Sequence, residues 1–155
     1  MTLIIDELYD GITFVQNFRI KQSISIAHVR PWIYKQGTIV DGDLTLEIYE
    51  GATLLKSVSI NYLDINAGIP ATYAHGQIRF DFDPLQLNHD RSQEWTEYTM
   101  KLYMANHSTN TANFIGTSRR YESQFYDTYG SGVINGQAAN DMVEPLGFEI
   151  YRYTY

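Results

Sequence analysis

Apolar and polar side chains alternate through most of this chain, and that period of two restricts its fold more than any other feature. The alternation is clearest in Asp43-Leu44-Thr45-Leu46-Glu47-Ile48-Tyr49 and in Gln77-Ile78-Arg79-Phe80-Asp81-Phe82. On a pleated strand it places Leu44, Leu46 and Ile48 on one face and Thr45, Glu47 and Tyr49 on the other. Strands with one wet face belong to antiparallel sheets, whereas strands of parallel sheets are covered on both sides and read as continuous apolar runs. The expected class is all-β.

Strands are expected near 13–20, 23–35, 44–50, 53–61, 76–83, 98–105, 113–120 and 146–153. Asp41-Gly42-Asp43 forms a turn before the third, and Glu50-Gly51-Ala52 fits a tight hairpin into the fourth. Pro84 is expected to end the fifth strand, because proline cannot donate to a ladder. Pro31, inside the long second segment, predicts a bulge or an edge strand. A short helical turn fits 63–69 or 85–95. About eight strands in one chain of this length predict an antiparallel β-sandwich or jelly roll of two sheets, as a single domain over 1–155. The stretch 127–145 is rich in Gly, Ser, Asn and Ala and is read as a long loop over one end.

Composition narrows the function. An apolar content of 44% over 155 residues is enough for one unstapled core, and the absence of cysteine excludes disulfides, thiolate metal sites and thiol nucleophiles. The formal net charge is −7 and the only basic pair is Arg119-Arg120, so neither nucleic acid nor an anionic lipid surface is an expected partner. Met1-Thr2-Leu3-Ile4-Ile5-Asp6-Glu7 lacks the basic start of a secretory signal, and no apolar stretch approaches the roughly 18 residues of a membrane helix.

No catalytic motif stands out. There is no Gly-x-Ser-x-Gly elbow, phosphate loop or dinucleotide fingerprint. His28, His75, His89 and His107 lie far apart and read as structural or surface histidines. Asp41-Gly42-Asp43 lacks the spacing of a calcium loop and reads as a plain turn. Carboxylate pairs such as Asp81 with Asp83, or Glu94 with Glu97, have nothing to set them apart as a glycosidase pair. Asn106-His107-Ser108 matches the glycosylation sequon, which carries no meaning without export. No cofactor and no metal are expected.

Aromatic residues are the outlying feature, with 13 tyrosines. Tyr121, Tyr126 and Tyr129 cluster before the Gly/Asn-rich stretch, and Tyr151, Tyr153 and Tyr155 share one face of the last strand. A ring with a polar tip suits protein interfaces and sugar stacking, although strand propensity also favours tyrosine. Trp32 is expected in the core. Trp95 lies in a polar stretch and is a candidate ligand platform, with Asn88, Asp90, Asn106, Asn110 and Asn113 as available polar partners.

The order of 23–35, Gly42-Asp43-Leu44-Thr45-Leu46-Glu47-Ile48-Tyr49, 76–84 and 97–103 resembles jelly-roll modules of the carbohydrate-binding type. Such modules recur in virion structural proteins of tailed bacteriophages and in large bacterial surface proteins. The resemblance covers about residues 14–105 and rests on strand pattern, and no sugar-contacting residue is carried over from it. It implies a non-enzymatic virion structural protein, in capsid decoration or in the tail or fibre, made in the host cytoplasm. Its expected partners are other virion proteins and itself. A module recognising host polysaccharide is the alternative, and a polysaccharide-degrading enzyme a third reading.

Overall fold

The computed structural model describes residues 2–8, 13–20, 22–108, 112–121, 132–134, 137–138 and 148–152. In it the alternation becomes burial: Leu44, Leu46 and Ile48 are fully enclosed, while Glu47 and Tyr49 keep part of their surface. The elements are β1 (Thr2–Leu8), β2 (Thr13–Ile20), β3 (Ile24–Gln36), β4 (Asp43–Glu50), β5 (Thr53–Asn61), α1 (Tyr62–Gly68), β6 (Tyr73–Gln77), β7 (Phe80–Leu87), β8 (Thr96–Ala105), β9 (Phe114–Tyr121), β10 (Gly132–Ile134), β11 (Gln137–Ala138) and β12 (Phe148–Arg152). Every pairing is antiparallel, in two six-stranded sheets. The chain is an all-β sandwich, as the alternation predicts.

β3 is the spine of the first sheet. β6 and β7 follow one another along one of its edges, since Trp32 faces Gln77 and Val29 faces Phe80. β12 and β9 share the other edge, and β1 lies outside β9. The second sheet runs β11-β10-β2-β8-β4-β5. Phe14, Phe18, Leu44, Leu46, Ile48, Tyr98, Met100 and Leu102 from this sheet meet Ile26, Val29, Ile33, Phe80, Phe82, Leu87 and Ile115 from the other in one apolar core. Each such side chain contributes about 1.5–3 kcal/mol when removed from water.

Several sequence expectations need correction. Pro84 does not end a strand: β7 runs through it to Leu87. Ile26 faces Leu85 and His28 faces Asp81, so residues 82–84 sit opposite Ala27 alone. At such a bulge no ladder hydrogen bond is asked of the proline. The same irregularity switches the inward positions of β3 from Ile24 and Ile26 to Val29, Ile33 and Lys35, which keeps both halves of the strand on the core. Pro31 marks neither the bulge nor an edge. It lies mid-strand, where β3 exchanges β7 for β6 and β12 for β9, so its missing N–H interrupts no continuous ladder. The strand expected over 76–83 is divided between β6 and β7, and residues 85–95 hold no helix. β10 and β11 fall within the expected loop 127–145, β10 extending the second sheet with Val133 opposite Val15. The rest of that segment lies outside the described residues, as does the side chain of Trp32.

The helical turn expected over 63–69 is α1. Asn61 caps it by accepting from the Leu63 N–H at 3.1 Å. Seven residues make a marginal helix alone, so tertiary ties hold it. The loop 37–42 supplies most of them. Asn66 exchanges two hydrogen bonds with the Ile39 backbone, at 3.0 and 2.8 Å, and the Tyr62 N–H donates to the Gly42 carbonyl at 3.0 Å. Lys35, 1% exposed, reaches from β3 to donate to the carbonyls of Ile69 (2.7 Å) and Ala71 (3.2 Å). Its cation sits where the helix dipole is negative, and the last turn of α1 has no basic residue of its own.

The outer edge of β5 carries two devices that discourage strand addition. Ile48 faces Lys56 and Tyr49 faces Leu54, so Leu55 is an extra, bulged residue. Lys56 therefore occupies a core-side position on an edge strand, a charge that a new neighbouring strand would have to bury.

Candidate binding face on the second sheet

The outward rows of the second sheet bring together side chains far apart in sequence. Across β5, β4, β8 and β2 one row reads Ser59, Thr45, Tyr103, Thr13 and the next Ser57, Glu47, Lys101, Val15. Tyr49, Thr99 and Asn17 follow. Glu47 lies at the centre. One carboxylate oxygen accepts from the Tyr49 hydroxyl at 3.0 Å and the other from the Tyr103 hydroxyl at 3.2 Å. The Lys101 ammonium stands 4.3 Å from the centroid of the Tyr49 ring. Thr99 donates to the Asn17 amide oxygen at 2.9 Å, and the Thr45 and Ser59 hydroxyls share a hydrogen bond of 2.9 Å.

This network fixes orientation. With both oxygens of Glu47 engaged, the rings of Tyr49 and Tyr103 are held from both ends, and each phenol oxygen keeps acceptor capacity. Burial first, and Glu47 second, raise both phenols above the ordinary tyrosine value, so they stay protonated donors at neutral pH. The face offers ring surfaces, hydroxyls, an amide and an ammonium, all aimed outward. Such a surface can both stack against a flat apolar face and exchange hydrogen bonds with hydroxyl groups.

Trp95 stands at the β2/β8 end of the same face. It is 38% exposed, and the Arg19 guanidinium lies 4.4 Å from its ring centroid. Arg19 also pairs with Glu97 at 3.3 Å. That pair is well exposed and contributes roughly 0–1 kcal/mol, so it orients more than it stabilises. Of the other candidates, Tyr121 ends β9 opposite Thr2, and Tyr151 lies on β12 opposite His28. Both belong to the first sheet, away from Trp95, and their side chains lie outside the described set. Tyr126, Tyr129, Tyr153 and Tyr155 lie outside the described residues. Sequence reasoning missed Glu47, Lys101 and Tyr103 as a group; their signal was the matched alternation of β4 and β8.

Several other polar groups have structural partners. Asp41 accepts from His107 Nδ1 and from the Ser108 hydroxyl, each at 2.7 Å, and the Ser108 hydrogen bond is the main cause of its lowered pKa. Asp43 accepts from Asn61 at 3.1 Å. The Asp41-Gly42-Asp43 segment is thus a turn that fastens neighbouring loops. His75 packs against Tyr34, and His89 bonds Thr96 at 2.9 Å. Burial, then the charges of Arg79 and Arg30, lowers the pKa of His28. Asp81 pairs with Arg79. Among the described residues no three His, Asp or Glu side chains gather to hold a metal ion. No protein-family model and no curated protein matches the chain. The architecture alone sets its class, an antiparallel β-sandwich.

Proposed function

We propose that the chain is a non-enzymatic recognition module that binds a glycan of a cell-surface polysaccharide on the outer face of its second sheet. The clamp of Tyr49 and Tyr103 on Glu47 carries this reading. It holds two aromatic rings in one orientation before any ligand arrives, and that lowers the ordering cost of binding. A glycan array followed by calorimetry on the strongest hit tests it. Saturable binding is expected, and Tyr103→Phe, which keeps the ring and removes the hydroxyl, should weaken it about tenfold, or about 1.4 kcal/mol. An array without a saturable hit would sink the reading.

A second reading, a virion structural subunit acting through protein contacts, is favoured by β12. Among the described residues this strand pairs only with β3, which leaves its other edge for a neighbouring subunit. Interfaces of about 800 Å² per partner need only a modest patch. Removing residues 151–155 should abolish incorporation into particles; unchanged incorporation would count against Tyr151, Tyr153 and Tyr155 as contacts.

A further inference from the structure

We propose that this face has two aromatic stations and takes an extended, uncharged glycan chain running diagonally across β8 rather than a single terminal sugar. The proposal rests on the glycan reading above. One station is Tyr49 with Lys101, the other Trp95 with Arg19. Tyr49 on β4 stands opposite Thr99 of β8, and Arg19 on β2 stands opposite Glu97, two residues before Thr99, so the stations are two residues along and two strands across from each other. At about 3.4 Å per residue along the strands and about 4.8 Å per strand across them, the stations lie about 12 Å apart on one face. The hydrogen-bonded Thr99 and Asn17 pave the interval between them.

The second station is built rather than incidental. The loop that presents Trp95 is pinned at Asn88, His89, Asp90, Ser92 and, just past the ring, Thr96 and Tyr98. Tyr98 donates to the Asn88 carbonyl at 2.6 Å, and the His89 N–H donates to Ser23 at 2.9 Å. Thr96 binds both His89 Nδ1 (2.9 Å) and the Asp90 N–H (2.8 Å), and Asp90 receives two bonds from Ser92. A large ring held partly in water by so fixed a loop gains little from the core. It is a preformed anchor of the kind that dominates recognition energetics.

Charge selects the ligand class. On this face Lys101 stands opposite Glu47 and Arg19 opposite Glu97, so the stations are neutral in sum. The chain as a whole carries −7, which repels a polyanion at long range. An uncharged chain of hydroxyls and ring C–H faces meets both conditions.

The test is calorimetry on the full chain with neutral ladders, mono- to hexasaccharide, of glucose, galactose and N-acetylglucosamine units, beside uronic-acid oligomers of equal length. For the ladder that binds, affinity should rise at least tenfold from the monosaccharide to the length that bridges both rings, and then level off. Trp95→Ala should erase that gain, costing the longest sugars more than the monosaccharide, and Trp95→Phe should restore most of it. Circular dichroism of each variant checks the fold. Equal affinity at every length, or a Trp95→Ala loss equal for the shortest and longest sugars, would overturn the two-station site. Tighter binding of the uronic-acid oligomers would overturn the uncharged ligand. Absence of binding by every sugar would remove the glycan reading itself, and the present inference with it.

Discussion

Gly42→Ala is expected to cost about 2–6 kcal/mol, a large share of a domain stability of about 5–15 kcal/mol. Gly42 holds φ at +97°, and a methyl group there would meet the His107 Cβ at 2.9 Å and the Ala105 carbonyl at 3.0 Å. Strain and crowding therefore add. Gly51 is the control: its φ is +59°, but nothing stands within 4 Å of an added Cβ. Gly51→Ala should lose only about 1–2 kcal/mol, the left-handed cost alone. Urea denaturation of both variants decides the matter, and equal losses would show that the packing of His107 over the turn contributes nothing.

Lys35→Ala should be of similar size, about 2–5 kcal/mol, because it removes a buried stem as well as two hydrogen bonds. Lys35→Met keeps the stem and leaves the Ile69 carbonyl without its donor, at a cost of about 1–3 kcal/mol. A methionine variant as stable as the parent would mean that the amine is no tie for α1. The comparison also has a pH signature. Burial lowers the pKa of Lys35 from 10.5. Between the lowered folded value and 10.5 the unfolded chain holds the proton and the native one does not, so stability rises with pH across that window. The parent should therefore gain on Lys35→Met as pH climbs towards 10.5. A difference constant with pH would contradict the shift.

The strands were legible because each carries its own alternation: β2 and β5 fall where the pattern places them, and β4 and β8 begin within two residues of it. β1 was not, since its short apolar run ending at Asp6 resembles any exposed terminus until β9 pairs with it. The bulge opposite Ala27 was hidden for a related reason. A parity change in β3 makes sense only once β7 and β12 flank it, and without it Lys35 cannot be recognised as an inward residue. The outer face of the second sheet was half visible. Glu47 and Tyr49 belong to the wet side of β4 on sequence alone, but nothing local says that β8 lies beside β4 and brings Tyr103 and Lys101 to them. The exposure of Trp95 was readable from its polar surroundings, whereas its partner Arg19 lies 76 residues away and reaches it only through the β2–β8 pairing.

The guarded rim at Leu55 and Lys56 bears on how such sandwiches behave when many copies are packed together. Zipping side by side into a longer ribbon is opposed at that rim, so copies pressed together there meet through side chains rather than by adding strands.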